Sequence, residues 1–312
     1  MMAAPHTPAL IDTMPPTTGR LQAGVVLGPN TWFRVGGPAE ILLRPADTAD
    51  LQAFLAALPL EIPLCVIGAA SNLIIRDGGI NGVVIRLARG FGEIAVDDAG
   101  ITAGAAALDA TVAEYALEAG LAGLGFLSGI PGAVGGAVAM NAGAYGGDVA
   151  SVLDWAEIVT RQGELIRLTA AELGFSYRHS RLPPECVVVR ARFAARAGDR
   201  SLIAAQMAEI KTSREATQPV RARTGGSTFR NPEGHKAWAL IDSAGGRGLT
   251  RGGAQVSEKH CNFLINTGTA TAADLEGLGE DLRRIVHATS MVTLDWEIKR
   301  IGIPATAPQV VP

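Results

Sequence analysis

From Gly120 to Gly147 the chain runs for 28 residues without a charged side chain, and ten of those residues are glycine. That length would cross a bilayer as a helix, which needs roughly 20 mostly apolar residues. The composition argues against it. Each glycine inside a helix costs about 1 kcal/mol relative to alanine and a proline about 3 kcal/mol, and Pro131 stands in the middle of the run. The run also lacks the Leu, Ile and Val content and the flanking basic residues of a span. Small side chains around an interior Asn141 suit backbone that must pass very close to something else.

With 312 residues, 48% of them apolar, the chain can bury a large core spread over two or three domains. Charged residues make up 18% and nearly balance at a net −3, with no basic stripe to neutralise phosphates, so no nucleic-acid partner is expected. Cys65, Cys186 and Cys261 lie far apart without a CxxC pair. That spacing indicates neither a disulfide framework nor a metal site, and suits three thiols in a reducing cytoplasm. The opening MMAAPHTPALIDTMPPTTGR lacks the basic start and apolar core of a signal peptide. Residues 1–19 are therefore expected to be a flexible leader, and the Pro-rich 303–312 an unstructured tail.

Apolar patterning divides the rest into three units, 20–88, 89–199 and 200–302. In the first, strand-like AEILLRP (39–45) and PLCVIG (63–68) flank a helix whose Leu51, Phe54, Leu55 and Leu58 repeat at i, i+3, i+4, i+7 behind Asp47 and Thr48. Strand-like LIIR and GVVIRL follow. The second unit has short strands EIAV and ITAGA, a helix over 109–120, the Gly-rich run, and strands at WAEIVT, LIRLTA and CVVVRARF. The third opens with a helix carrying Leu202, Ile203, Met207 and Ile210 on one face. It continues through a helix after Thr271 and closes on strand-like LDWEIKRIG (294–302).

Two loops could bind an anion. GAASN (68–72) offers Gly68, Ala69, Ala70, Ser71 and Asn72 as N–H donors plus the Ser71 hydroxyl, although an ordinary strand connection explains it as well. The Gly-rich run can bring N–H groups near Gly132, Ala133 and Gly136 to a pyrophosphate, and tight helix-to-sheet packing is an equal explanation. Neither loop fits GxGxxG after a strand, nor GxxxxGK[ST]. Isolated polar residues complete the candidates: Arg178 beside Tyr177, Ser227 in a Gly-framed turn, and Glu297 in LDWEIKRIG. For these, a solvated arginine, a plain hairpin and a surface salt bridge are the bland alternatives. No catalytic triad, HExxH or paired-carboxylate pattern competes with them.

Taken in order, NTWFRVGGPAE, GAASNLIIRDGG, IPGAVGGAVAMNAGAYGG, FSYRHS, GGSTFRNP, VSEKHCNFLIN and LDWEIKRIG resemble the UDP-N-acetylenolpyruvoylglucosamine reductases, over roughly residues 20 to 302. The resemblance implies an α+β chain: the FAD-binding fold of the vanillyl-alcohol-oxidase-like type, made of two α+β subdomains, plus a C-terminal α+β substrate domain. No tyrosine-bearing insertion precedes Ser227, which points to the shorter branch. It implies FAD and NADPH as cofactors and the enolpyruvyl ether of UDP-N-acetylglucosamine as substrate, reduced in cytoplasmic peptidoglycan precursor synthesis. No membrane or obligate protein partner is implied.

The same resemblance assigns roles. GAASN and the Gly-rich run, with Gly132, Ala133, Gly136, Asn141 and Gly143, become the FAD cradle. Arg178 is implied to hold the substrate carboxylate, Glu297 to stabilise the enol in its protonated form, and Ser227 to protonate C2 once C3 has been reduced. Tyr177, Asn231 and His260 fall at substrate contacts. Two departures stand out: alanine at 69 or 70 where the family usually has glycine, and Trp296 where it often has proline. A flavin oxidase on this scaffold and a non-catalytic nucleotide-binding module are the alternatives.

Overall fold

The structure is a computed structural model describing residues 9–305. Its first sheet has four strands in the order Arg20–Val26, Pro38–Arg44, Ile80–Ile85, Leu64–Val66. The first pair is antiparallel and the others are parallel. Helix α1 (Thr48–Ala57) makes the crossover. The Asp47 carboxylate accepts the Asp50 N–H at 2.8 Å, a cap worth about 1 kcal/mol. Leu51, Phe54 and Leu55 then bury against Ile41, Leu43, Val83 and Ile85. Leu73–Ile75, strand-like by sequence, does not join this sheet. Ile80–Ile85 already has a partner on each side, so Leu73–Ile75 pairs in parallel with Lys299–Ile301 from the chain's far end.

The second sheet is antiparallel throughout, in the order Leu165–Thr169, Leu153–Val159, Val187–Ala194, Gly100–Gly104, Ile94–Asp97. Helices α2 (Asp109–Ala119) and α3 (Val134–Met140) bury Val112, Ala116, Val134 and Val138 in its core. The Gly-rich run thus breaks into a short 3-10 turn at Gly125–Gly129, the seven-residue α3 and a tight hairpin at 143–148. Among the described residues no helix is long and apolar enough to cross a membrane.

Helix α4 (Arg200–Thr217), expected in the third unit, packs on the second, against Gly125–Gly129 and α2, and the third unit holds α5 (Ala237–Ser243), a sheet of Thr250–Arg251, Ala254–Val256 and Leu264–Asn266, and α6 (Ala272–Ser290). A reciprocal capping box between Thr271 and Asp274 starts α6, and Leu275, Leu278, Leu282 and Val286 are buried along it. On α4 the buried face comprises Ile203 and Ile210, whereas Leu202, expected there, is 71% exposed. The spacing explains this, because 202 is one residue, about 100° of helix, away from that face. LDWEIKRIG is a strand only at Lys299–Ile301. Asp77 accepts the N–H groups of Ala272 and Ala273, and Arg76 forks onto Glu276, which fixes α6 against the 73–77 segment.

Both ends differ from expectation within the described residues. Residues 9–19 are not a free leader. Leu10, Ile11 and Met14 pack on the α1 core, and Asp50 accepts from the Thr17 hydroxyl and the N–H groups of Thr18 and Gly19. Aliphatic residues too few to form a periodic face still suffice to fill an edge. Ile303 likewise exchanges backbone hydrogen bonds with Gly78 and Gly79, so the expected boundary at 303 does not hold. Residues 1–8 and 306–312 lie outside the described residues.

Candidate active site

A cleft runs between the three units in two lobes that share Val66, Gly68, Ala69, Ala133, Gly136 and Ala139 as a common wall. The larger lobe encloses about 730 Å³ and is lined by four arginines, Arg34, Arg86, Arg221 and Arg223, with no carboxylate. The smaller lobe encloses about 310 Å³ and holds Arg178, Ser227 and Glu297 together with Ser71, Asn72, Gly132 and Gly143.

The shared wall is backbone. None of the N–H groups of residues 68–72 donates to a protein acceptor among the described residues. Unsatisfied donors at a cavity wall are what an anionic ligand needs. Ala70 holds φ +51°, the left-handed region that suits glycine. The alanine therefore adopts the backbone that a glycine would, at a cost of about 1–2 kcal/mol. At Gly136 an added Cβ would meet nothing within 4 Å, so any side chain there would enter the cleft.

The catalytic candidates come from three distant segments. Ser176 and His179 exchange backbone hydrogen bonds across a two-residue turn, and Arg178 at its tip has φ +57°, strain of the kind that accumulates at functional sites. Its Nε donates to Glu297 Oε1 at 2.9 Å, across 119 residues of sequence. Gly143 is demanded first by its hairpin, where a Cβ would meet Asp148 Cβ at 2.8 Å and the Gly147 carbonyl at 2.9 Å, and Arg178 Nη1 would lie 3.3 Å from the same point. The Glu297 backbone is held on both sides, its N–H donating to the Thr228 carbonyl at 2.8 Å and its carbonyl accepting from Asn72 Nδ2 at 3.2 Å. Ser227 is thereby placed one residue from the Glu297 contact. Burial raises the pKa of Glu297, against the opposing pull of Arg178 and Arg230. Trp296 secures the segment, with its Nε1 donating to Glu280 at 2.8 Å and its ring 5.0 Å from that of Phe229.

Four expected residues lie outside both walls. Asn141 is spent on the fold: its Nδ2 donates to the Ser176 carbonyl and its Oδ1 accepts from Ala150 N–H, which braces the Arg178 turn instead of touching a ligand. Tyr177 is 56% exposed and stacks 5.2 Å from the Arg178 guanidinium. The Asn231 side-chain Oδ1 accepts from the N–H of Ala237, the first residue of α5. His260 packs edge-on to Phe263 at 4.8 Å, with burial lowering its pKa, and Phe263 is the residue that reaches the smaller lobe.

Residues 39–169 match the family model for an FAD binding domain, and 218–301 match the C-terminal domain of UDP-N-acetylenolpyruvoylglucosamine reductase. Over 304 residues the chain is 66% identical to the reductase of that name from Acidiphilium cryptum, covering 97% of this chain and 98% of the relative. The chain belongs to the UDP-N-acetylenolpyruvoylglucosamine reductase family. The reductase of Granulibacter bethesdensis is 62% identical, with 96% of each chain covered. The solved reductase of Thermus caldophilus superposes with a TM-score of 0.80 at 37% identity, covering 91% of this chain and 100% of that one.

The cleft suits the FAD that this family's first domain binds. A dinucleotide with a diphosphate at its middle matches two lobes joined by a wall of free N–H groups, and the arginines of the larger lobe add positive charge. Sequence reasoning missed those arginines, which are scattered singly over 34–223, and it missed Lys299 and Asp109 in the smaller lobe. Lys299 was within reach, since it sits two residues beyond Glu297 and both line the smaller lobe.

Proposed function

We propose that the chain reduces the enolpyruvyl ether of UDP-N-acetylglucosamine to UDP-N-acetylmuramate with NADPH, in the cytoplasm, as a step of peptidoglycan precursor synthesis. Residues 20–88 and 89–199 form the flavin-binding half and 200–302 the substrate half in this reading. When bound, FAD supplies the two-electron relay between the nicotinamide and the ether. The observation that carries the proposal is the Arg178–Glu297 pair beside Ser227 in the smaller lobe.

Arg178 spends only Nε on Glu297, so its two terminal nitrogens remain to fork onto the substrate carboxylate. Glu297, its pKa raised by burial, keeps its proton further up the pH scale than an ordinary glutamate. It can donate to the enolate oxygen as charge builds there. Ser227 delivers the proton to C2. A hydroxyl is a weak acid, and it serves here because the acceptor is carbanion-like and strongly basic.

The test is the visible spectrum of the purified protein under anaerobic conditions. Yellow protein that NADPH bleaches and the enolpyruvyl sugar nucleotide recolours is the expected result. Protein that stays colourless after FAD is added, or that recolours only with oxygen, overturns the reading.

A further inference from the structure

Asp109 has no part in that chemistry, yet it is the acid most sequestered from water. It is the first residue of α2 and fully buried, and neither carboxyl oxygen has a hydrogen-bond partner among the described residues. A buried orphan carboxyl costs free energy that folds do not usually tolerate without a reason. Its position suggests the reason. Asp109 lines the smaller lobe, and its N–H donates to the Gly132 carbonyl at 3.2 Å. A Cβ on Gly132 would sit 2.8 Å from Asp109 Oδ2 and 3.9 Å from Ser71 Oγ. The acid therefore stands, enclosed and unpartnered, where the Gly-rich run meets GAASN, and only a residue without a side chain at 132 fits beside its Oδ2.

We propose that Asp109 is a cofactor-binding residue that donates its carboxylic O–H to a diphosphate oxygen of bound FAD. The proposal rests on the flavin reading above. A carboxylate at this point would repel the diphosphate, whereas a neutral acid gains a charge-assisted hydrogen bond. Burial supplies the neutral form by pushing the Asp109 pKa up to about 8. No charged neighbour contributes. The other charged groups of the lobe are Arg178, Glu297 and Lys299. Packed against α2 are α4, with Arg200, Glu209, Lys211, Arg214 and Glu215, and strand Ile94–Asp97, with Asp97. Burial is the sole cause of the shift.

The sign follows from linkage. FAD binds the protonated form better, so affinity is complete below the free-protein pKa and declines as pH rises through it. With that pKa at about 8, the dissociation constant should rise about tenfold between pH 7 and pH 9. FAD is titrated into apoprotein and followed by flavin fluorescence. Asp109→Asn, a neutral donor of the same shape, should bind within a few-fold of wild type at pH 7 and lose the pH dependence. Asp109→Leu should bind at least ~10-fold more weakly at every pH. ADP should reproduce the wild-type pH dependence and riboflavin should not.

A flat wild-type profile overturns the proposal even if neither variant folds. So does an Asn profile that keeps the slope, or a slope carried by riboflavin in place of ADP. Failure of the protein to bind FAD at any pH would instead overturn the flavin reading itself.

Discussion

The larger lobe of the cleft carries four arginines and no carboxylate, whereas the smaller one matches two cations, Arg178 and Lys299, with two acids, Asp109 and Glu297. An unbalanced lobe attracts anions and holds them through charge, with limited demand on geometry. In the smaller lobe burial shifts both acids towards the neutral form, and its value lies in placing groups whose protonation differs from that in water. Under the proposed function the two halves of one cleft divide the work, one concentrating an anionic dinucleotide and the other handling protons. Each half can be broken without the other.

The largest effect should come from the balanced lobe. Ser227→Ala removes the proton donor proposed for the second half-reaction only, and a positioned acid contributes about 10²–10⁴-fold. Anaerobic stopped-flow on the flavin absorbance should show bleaching by NADPH near the wild-type rate, with reoxidation by substrate slower by that factor. Equal slowing of both steps would mean that Ser227 only shapes the lobe.

Gly136 belongs to both lobes, so its substitution should blur the division. Its Cβ position is open space within the cleft, and a valine there would occupy the volume that FAD needs. Gly136→Val should fold normally and bind FAD at least ~100-fold more weakly, about 2.7 kcal/mol. Full flavin occupancy would place the dinucleotide elsewhere. A smaller loss is expected in the arginine-rich lobe, where Arg221 is exposed. Arg221→Ala should weaken FAD binding about three- to tenfold at low salt, with the difference shrinking as ionic strength rises. A loss that ignores salt would refute the charge argument for that lobe.

The division also explains what was legible in the sequence. Backbone cradles leave a compositional trace: glycines at 132, 136 and 143, and the GAASN turn, were visible as chain that must come close to a ligand. Periodicity likewise marked α1 and α6, because burial on one helical face is a local property. The pairing of Leu73–Ile75 with Lys299–Ile301, and of Arg178 with Glu297, is not local. No spacing rule joins residues more than 100 apart, and there the motif resemblance did what periodicity could not. Asp109 escaped for a different reason. In DATVAEYALEAG it reads as a routine acid at a helix start, and only its burial, together with the absence of any partner, reveals otherwise. Asn141 erred in the opposite direction: an asparagine inside a Gly-rich run suggests a ligand contact, yet both ends of its amide brace the fold.

The smallest effect, at the wall the lobes share, separates strain from recognition. Ala70 is held at φ +51° while Ala69 has no positive φ. Glycine at 70 relieves about 1–2 kcal/mol of left-handed strain and returns about 0.4–1 kcal/mol through the freer unfolded chain, a net gain between about 0 and about 1.6 kcal/mol. Glycine at 69 has no strain to relieve and should lose about 0.4–1 kcal/mol. Denaturant titration of apoprotein should therefore move the two midpoints in opposite directions, with unchanged slope. Flavin affinity should change less than threefold in either variant, because the N–H groups that face the cleft are kept. If both variants lose stability equally, the methyl of Ala70, buried at 6% exposure, contributes more by packing than its backbone costs. The loop would then be an adapted alanine site with no residual demand for glycine.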